Sequence, residues 1–170
     1  YLGDKLTWPI YGHATIGKAK EDLDRAAKAI STSLASIQGD AHVSVLKALV
    51  SQASAAIPVM PLYLSILIKV MKEDGSNEGP IEQLQRLFTE CLYTDAPRLD
   101  DMNRFRVDEK ELDRGVQERV EAIWPKVTEE NLFELTDFNG YKSDFLSLFG
   151  FGVEGVDYDA ETSPLVEHNF

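Results

Sequence analysis

The strongest helical periodicity in the chain lies at residues 15–38, where apolar side chains recur every three or four positions. The resulting stripe comprises Ile16, Ala19, Leu23, Ala26, Ala27, Ile30, Leu34 and Ile37. Thr15 stands where a helix N-cap is expected, because its hydroxyl can accept a hydrogen bond from the first turn. The pattern predicts a long amphipathic helix.

A different pattern follows at residues 41–50, AHVSVLKALV, which is short, rich in valine and preceded by Gly39 and Asp40. This composition is typical of a buried strand. The small residues SQASAA come next, and Pro58 and Pro61 open a strongly apolar stretch that predicts a buried helix to about Met71. A strand, a turn and a helix form half of a βαβ unit.

Helical signals dominate the rest of the chain. Pro80 opens a predicted helix to about Leu92, and residues 93–107 are predicted to be an irregular acidic connection. Asp108 and Glu111 have the spacing of a capping box for a helix through Trp124. Asp137 is the predicted N-cap of a last helix. One strand cannot form a sheet, so either further strands in this sequence are not recognisable from its pattern, or they lie in an N-terminal part that precedes it.

The composition excludes several functional classes. The net charge of -12 opposes binding to nucleic acid or to anionic membranes, since both require clustered Lys and Arg. The most apolar stretch is too short to span a bilayer. The single cysteine, Cys91, lies at helical spacing beside apolar residues and is predicted to be a core residue, which fits a reducing, cytoplasmic compartment.

The segment GFGVEG, Gly150–Gly155, matches the glycine pattern of dinucleotide-binding loops. Such loops follow a strand and precede a helix, whereas this one follows a predicted helix and precedes the acidic, turn-rich VEGVDYDAETSP. We therefore predict that Gly150 is a helix C-cap and that the phosphates of a cofactor are not bound here.

Tyr11 and Lys20, with eight residues between them, are the candidate catalytic pair. Reduction of a carbonyl or enone by a nicotinamide commonly uses a tyrosine as proton donor, and a neighbouring lysine lowers its pKa. On a helical wheel Lys20 falls about 40° from Ile16 on the apolar stripe, whereas Lys18 falls about 200° away, toward solvent. The alternative is that Lys20 only extends along the stripe toward water and that Tyr11 is a packing residue.

The remaining motifs are uninformative. His13, His42 and His168 lack metal-ligand spacing, so no metal is predicted. The sequence has no nucleophile elbow and no P-loop.

Three long stretches together carry a specific resemblance: WPIYGHATIGKAKEDLDRAA, VLKALVSQASAAIPVMPLYLSILIKVMKEDG and DFNGYKSDFLSLFGFGVEGVDYDAE. In this order they closely resemble the C-terminal part of the FabV-type trans-2-enoyl-CoA and enoyl-acyl carrier protein reductases, across essentially the whole chain. The resemblance implies an α/β fold, the helix-rich C-terminal portion of a Rossmann-like, short-chain-dehydrogenase-like domain, with most of the strands and the nucleotide-binding glycine loop in a missing N-terminal part.

The resemblance also implies roles. Family members reduce the C2=C3 double bond of enoyl-CoA or enoyl-acyl carrier protein with NADH during fatty acid synthesis. Tyr11 would bind the thioester carbonyl, and Lys20 would bind the cofactor ribose and tune the tyrosine. Tyr1 resembles a substrate-site tyrosine, and the turn Ser51, Gln52, Ala53 and Ser54 would lie beside the cofactor.

These roles divide the single domain into four segments. Residues 1–37 would hold the catalytic pair, 41–57 the cofactor-side strand and turn, 58–92 the substrate-side helices, and 93–170 the C-terminal helices and tail. The isolated chain would be inactive. The alternative hypothesis is a non-catalytic, acidic helical domain that binds a protein partner.

Overall fold

The structure is a computed structural model that describes residues 5–163 and Leu165, apart from the side chain of Ile10. Within this part, the chain forms eight α-helices and one short parallel pair of strands. The elements are α1 (Trp8–Tyr11), α2 (Thr15–Leu34), β1 (Ser44–Val45), α3 (Gln52–Ala55), α4 (Met60–Glu73), α5 (Pro80–Arg86), β2 (Phe105–Arg106), α6 (Arg114–Ile123), α7 (Leu132–Leu135) and α8 (Phe138–Ser147).

Helix α4 is the centre of the core. It is apolar on nearly all sides, as its sequence predicts, and it packs against α6 and α8. The fully buried side chains Tyr63, Leu64, Ile66, Leu67, Val70 and Met71 all come from this helix. Burial on every side identifies α4 as the element around which the C-terminal helices assemble.

The predicted strand is shorter than expected, with only Ser44 and Val45 in ladder geometry. Its parallel partner β2 lies in the stretch predicted to be irregular, and Ser44 pairs with Phe105. The backbone N–H of Phe105 donates to the Val43 oxygen and that of Val107 to the Val45 oxygen, each at 2.9 Å. The pairing confirms a helix-rich α/β chain and corrects the prediction of an irregular connection over residues 93–107.

Helix α5 continues through a wider, π-type turn, Leu87–Leu92, and the two together match the helix predicted from Pro80. The continuation buries Leu87 and Cys91 against Phe105 and Val107 of the β2 segment. Cys91 is therefore a core residue with a free thiol, as predicted.

Helix α2 confirms the predicted long helix and extends by one 3₁₀ turn, Ala35–Ile37. Its N-cap is Ala14 and not Thr15, which is the first helical residue and makes no capping hydrogen bond. Much of its apolar stripe is exposed within the described part of the chain: Leu23 is 46% exposed, Ile30 49% and Ile37 72%.

The C-terminal helix and its end agree with the sequence prediction. Asp137 caps α8 by accepting a hydrogen bond from the Gly140 N–H at 2.9 Å. Gly150 has φ +80° and follows the helix in a Schellman arrangement, in which the Phe151 N–H bonds the Leu146 oxygen and the Gly150 N–H bonds the Ser147 oxygen. The GFGVEG segment is thus a helix C-terminus and the turns after it.

The predicted start of α6 is wrong. The helix begins at Arg114, where the Asp113 carboxylate accepts from the N–H groups of Gly115 and Val116. Asp108 instead forms an ion pair with Arg106 at 2.7 Å, and Glu111 turns into the core. Spacing alone favoured a capping box, but Asp108 pairs with its near neighbour Arg106, and contacts with the distant residues Ala48 and Tyr63 hold Glu111.

Candidate functional site

The candidate site begins where α1 and α2 meet. Gly17 is buried in the first turn of α2, against the end of α1. A Cβ atom built on Gly17 would overlap the carbonyl oxygen of Gly12 and stand 2.8 Å from that of Tyr11. Only glycine permits this close approach, which fixes Tyr11 relative to α2. No sequence pattern distinguishes Gly17 from the other glycines.

Lys20 lies three residues beyond Gly17 and therefore on the same side of α2, about 60° around the helix. Lys20 is half-buried. Lys18, in contrast, is exposed and forms an ion pair with Glu21 at 2.7 Å. Helix geometry thus directs Lys20 toward the α1 side, where Tyr11 lies.

Tyr11 is buried, with 8% of its surface exposed, and its hydroxyl donates a hydrogen bond to the carbonyl oxygen of Pro58. Pro58 stands between α3 and α4, next to Val59, whose φ of +63° is unusual for a β-branched residue. The phenol therefore reaches the junction between the predicted cofactor-side turn and the predicted substrate-side helix.

The turn after β1 is closed by its own serines. The Ser51 hydroxyl oxygen accepts from the Ser54 N–H at 3.0 Å, and the Ser54 oxygen accepts from the Ser51 N–H at 2.9 Å. The Ser54 hydroxyl also donates to the Leu49 oxygen at 2.9 Å. The two serines hold the shape of the turn, and Gln52 and Ala53 are left exposed at its surface.

A cavity of about 380 Å³ opens beside this turn. It is bordered by Lys47, Val50, Leu64, Ile68, Asn77 and Asp144. Lys47 is 95% buried, since its relative exposure is 5%, and its ammonium group donates to the Ala48 oxygen at 2.9 Å. Burial lowers the pKa of Lys47, while the carboxylates of Glu111, Glu78 and Asp144 oppose that effect.

Glu111 joins this region to α4. Its carboxylate accepts from the Ala48 N–H at 2.6 Å and from the Tyr63 hydroxyl at 2.7 Å. Burial raises the pKa of Glu111, and the hydrogen bond from Ala48 opposes this shift. The sequence offered no signal for these contacts, since the spacing of Glu111 indicated a helix cap instead.

Three further expectations concern features outside these contacts. Tyr1 lies outside the described residues. Across residues 5–163 and 165, His, Cys, Asp and Glu side chains form no group of three that could hold a metal ion. In the same part of the chain, no helix has the length and apolarity needed to cross a membrane.

Comparison with known protein families gives two matches along the chain. Residues 1–93, more than half of the 170 residues, match the family model described as the trans-2-enoyl-CoA reductase catalytic region. Residues 99–162 match the model described as the enoyl reductase FAD binding domain. The boundary between the two matches falls before β2.

A flavin dinucleotide needs backbone N–H groups at a glycine-rich turn or helix N-terminus to hold its pyrophosphate. In residues 99–162 the two longer helices, α6 and α8, begin with N–H groups occupied by Asp113 and Asp137, whose charges would repel a phosphate. Gly150–Gly155 follows a helix instead of preceding one. These residues alone do not fit a flavin pyrophosphate.

Individual relatives agree with the first match. The NADH-dependent enoyl-acyl carrier protein reductase of Saccharophagus degradans is 70% identical over 164 residues, which cover 96% of this chain and 42% of the relative. The corresponding enzyme of Teredinibacter turnerae is 67% identical over 166 residues, covering 98% of this chain and 42% of the relative. The chain thus spans less than half the length of these relatives.

Solved structures show the same relationship. A Clostridium trans-2-enoyl-CoA reductase in complex with NADH superimposes with a TM-score of 0.91 at 47% identity, over 96% of this chain and 42% of that one. The Treponema denticola trans-2-enoyl-CoA reductase in complex with NAD gives 0.88 at 48% identity, over 95% and 41%. The chain belongs to the trans-2-enoyl-CoA reductase family and corresponds to the C-terminal part of its members.

Proposed function

We propose that this chain is the C-terminal part of an NADH-dependent reductase that saturates the C2=C3 bond of enoyl-CoA or enoyl-acyl carrier protein in cytoplasmic fatty acid synthesis. One observation carries the proposal. The hydrogen bond from the Tyr11 hydroxyl to Pro58 brings the proposed catalytic segment, 1–37, to the junction of the proposed cofactor-side segment, 41–57, and substrate-side segment, 58–92.

In this proposal NADH, when bound, supplies the hydride that adds to C3 of the enoyl thioester. Tyr11 donates a hydrogen bond to the thioester carbonyl, where negative charge develops as an enolate forms. A proton taken up from water at C2 completes the reduction. A phenol has one proton, so Tyr11 must release Pro58 before it can donate to a substrate.

Lys20 contributes through its charge and its position. An ammonium group close to a phenol stabilises negative charge that develops on or near the phenol oxygen. Half-buried on the α1 side of α2, Lys20 is suited to act on Tyr11 and to donate to a cofactor ribose hydroxyl. Residues 93–170 would support the substrate-side helix α4, because α6 and α8 pack against it.

The cofactor-side turn fits a cofactor only in part. Ser51 and Ser54 are engaged with each other, so Gln52, Ala53 and the turn backbone are the groups presented outward. The glycine-rich loop that a pyrophosphate requires is not formed by residues 5–163. This chain would therefore contact the nicotinamide end, and the rest of the enzyme would hold the phosphates.

The test uses the full-length enzyme, with NADH oxidation followed over a range of crotonyl-CoA concentrations and, in parallel, of crotonyl-acyl carrier protein concentrations. The variant Tyr11→Phe should lower kcat/KM by about 100- to 1,000-fold, the usual cost of removing one hydrogen-bond donor to a developing oxyanion. Tyr93→Phe, at an exposed tyrosine, is the matched control and should leave turnover unchanged. Full activity of Tyr11→Phe would refute the assigned role, and absence of NADH oxidation by the wild type would favour the non-catalytic, protein-binding alternative.

A further inference from the structure

We infer that Glu111 is a positioning residue of this site, which holds the segment between β1 and the cofactor-side turn at a fixed spacing from the substrate-side helix α4. The inference rests on the proposed reductase function. The Glu111 carboxylate bonds to neither Tyr11 nor Lys20. It acts on the site through its hydrogen bonds with Ala48 and Tyr63.

The carboxylate of Glu111 has one partner on each oxygen. Oε2 accepts from the Ala48 N–H at 2.6 Å, and Oε1 accepts from the Tyr63 hydroxyl at 2.7 Å. Gln117 of α6 also stabilises this arrangement, because its amide nitrogen donates to the Glu111 backbone oxygen at 2.6 Å and to the Tyr63 hydroxyl at 3.2 Å. Each partner is buried or half-buried, so water cannot easily substitute for a lost contact.

Between β1 and the turn, Glu111 holds the backbone at Ala48. Ala48 lies three residues before Ser51, and the intervening Leu49 carbonyl accepts from the Ser54 hydroxyl at 2.9 Å. A displacement of Ala48 therefore passes directly to the Ser51–Ser54 turn. Gln83 holds the preceding residue, because its side-chain oxygen accepts from the Lys47 N–H at 3.0 Å.

On the helix side, Glu111 holds the first turn of α4. Tyr63 is fully buried, and its backbone N–H bonds the Val59 oxygen at 3.0 Å. Val59 follows Pro58, the acceptor of the Tyr11 hydroxyl. Glu111 therefore connects both walls of the proposed site through two short hydrogen-bond paths, one that ends at the cofactor-side turn and one that ends beside Tyr11.

A buried carboxylate is a costly way to gain stability alone. Apolar side chains of similar size often stabilise a core as well as a buried ionic group does, because the charge must be stripped of water. Glu111 is 3% exposed, and the nearby ammonium group of Lys47 reduces this cost only in part. The carboxylate provides two directed acceptors, which an apolar residue lacks. These acceptors define the distance between the segment at Ala48 and helix α4.

The test compares Glu111→Gln with wild type in the full-length enzyme. Glutamine keeps the size of the side chain but has a single acceptor oxygen, so it can satisfy only one of the two donors. We expect kcat/KM to fall roughly 10- to 100-fold, the range that a small misplacement of reacting groups produces, with an increased KM for NADH. Glu118→Gln, an exposed glutamate on α6, is the matched control.

Measurement of the melting temperature in the same samples separates positioning from simple stabilisation. A purely structural role would lower the melting temperature while kcat and KM of the folded enzyme, assayed well below it, stay at wild-type values; that outcome would overturn the inference. Tyr63→Phe removes one of the two hydrogen bonds to the Glu111 carboxylate, together with the weaker one from Gln117. It should lower kcat/KM by a smaller factor, and it decides the matter if Glu111→Gln does not fold. Wild-type kinetics in Tyr63→Phe would then overturn the inference. A wild-type enzyme that does not oxidise NADH would instead remove the proposed function itself.

Discussion

Gly17 and Gly12 lie in such close contact that no side chain fits between the first turn of α2 and the end of α1. The contact determines where Tyr11 lies, because Tyr11 precedes Gly12 and its own carbonyl oxygen is 2.8 Å from the place of a Cβ on Gly17. The relative position of the proposed catalytic tyrosine and its lysine thus depends on the absence of a methyl group.

Substitution of Gly17 by alanine is expected to destabilise the protein and to lower its activity together. The added Cβ forces the two helices apart, which costs roughly 1–3 kcal/mol of unfolding free energy, as overpacking commonly does. Urea denaturation and NADH oxidation by the full-length enzyme measure the two effects. Gly115→Ala, at an exposed glycine in α6, is the control: its Cβ would meet only the side-chain oxygen of Asp113, at 3.1 Å, which can shift, so it should cost much less than Gly17→Ala. Equal behaviour of the two variants would contradict the assigned contact.

Replacement of the two lysines of α2 should separate their functions. Lys20→Met in the full-length enzyme is expected to raise KM for NADH and to lower kcat by about tenfold or more, because a charge near the phenol and the ribose is lost. Lys18→Met removes an exposed ion pair with Glu21 and should leave both constants near wild type. Steady-state kinetics decide, and similar losses in both variants would argue against a specific role for Lys20.

The ionisation of Glu111 should make stability depend on pH in a defined direction. Its pKa is raised in the folded state by burial, so the folded protein binds this proton more tightly than the unfolded chain. The stabilisation that this gives is complete below the ordinary carboxyl pKa of 4.5 and is lost as pH rises through the elevated folded value. The free energy of unfolding of wild type should therefore fall relative to that of Glu111→Gln as pH rises.

Denaturant titrations at a series of pH values above 4.5 measure this difference. The charged or titratable groups that face Glu111 are Lys47, Tyr63 and Asp108, and all three are kept in both proteins. A difference that stays constant, or that grows with pH, would show that the Glu111 pKa is not raised.

Asp137 combines a helix cap with an ion pair, and two substitutions can separate these contributions. Burial alone would raise its pKa, but hydrogen bonds from Lys72 and from the Gly140 N–H lower it. Asp137→Ala should cost about 0.5–2 kcal/mol, the usual value of an N-cap. Asp137→Asn keeps the cap and loses the charge, so it should cost less, and thermal or chemical denaturation would reveal an equal cost if the ion pair dominated.

The sequence by itself determined the elements whose signals are local. The periodicity of α2, the apolar run of α4, the Asp137 cap and the Gly150 C-cap all depend on residues within a few positions of one another, and each is found as predicted. The buried position of Cys91 likewise follows from its helical neighbours. The resemblance of three long stretches to one family also needed no coordinates.

Only the tertiary structure decided the contacts between distant segments. Strand β2 has two residues, and its pairing depends on β1, about 60 residues earlier, so no local pattern predicts it. Glu111 has the spacing of a capping residue, yet the Ala48 N–H and the Tyr63 hydroxyl, 63 and 48 residues away, draw its carboxylate into the core. Helix α6 consequently begins at Arg114, with Asp113 as its N-cap. A buried donor must find an acceptor wherever the fold places one, and that requirement outweighs the weaker preference of a side chain for its neighbours in sequence.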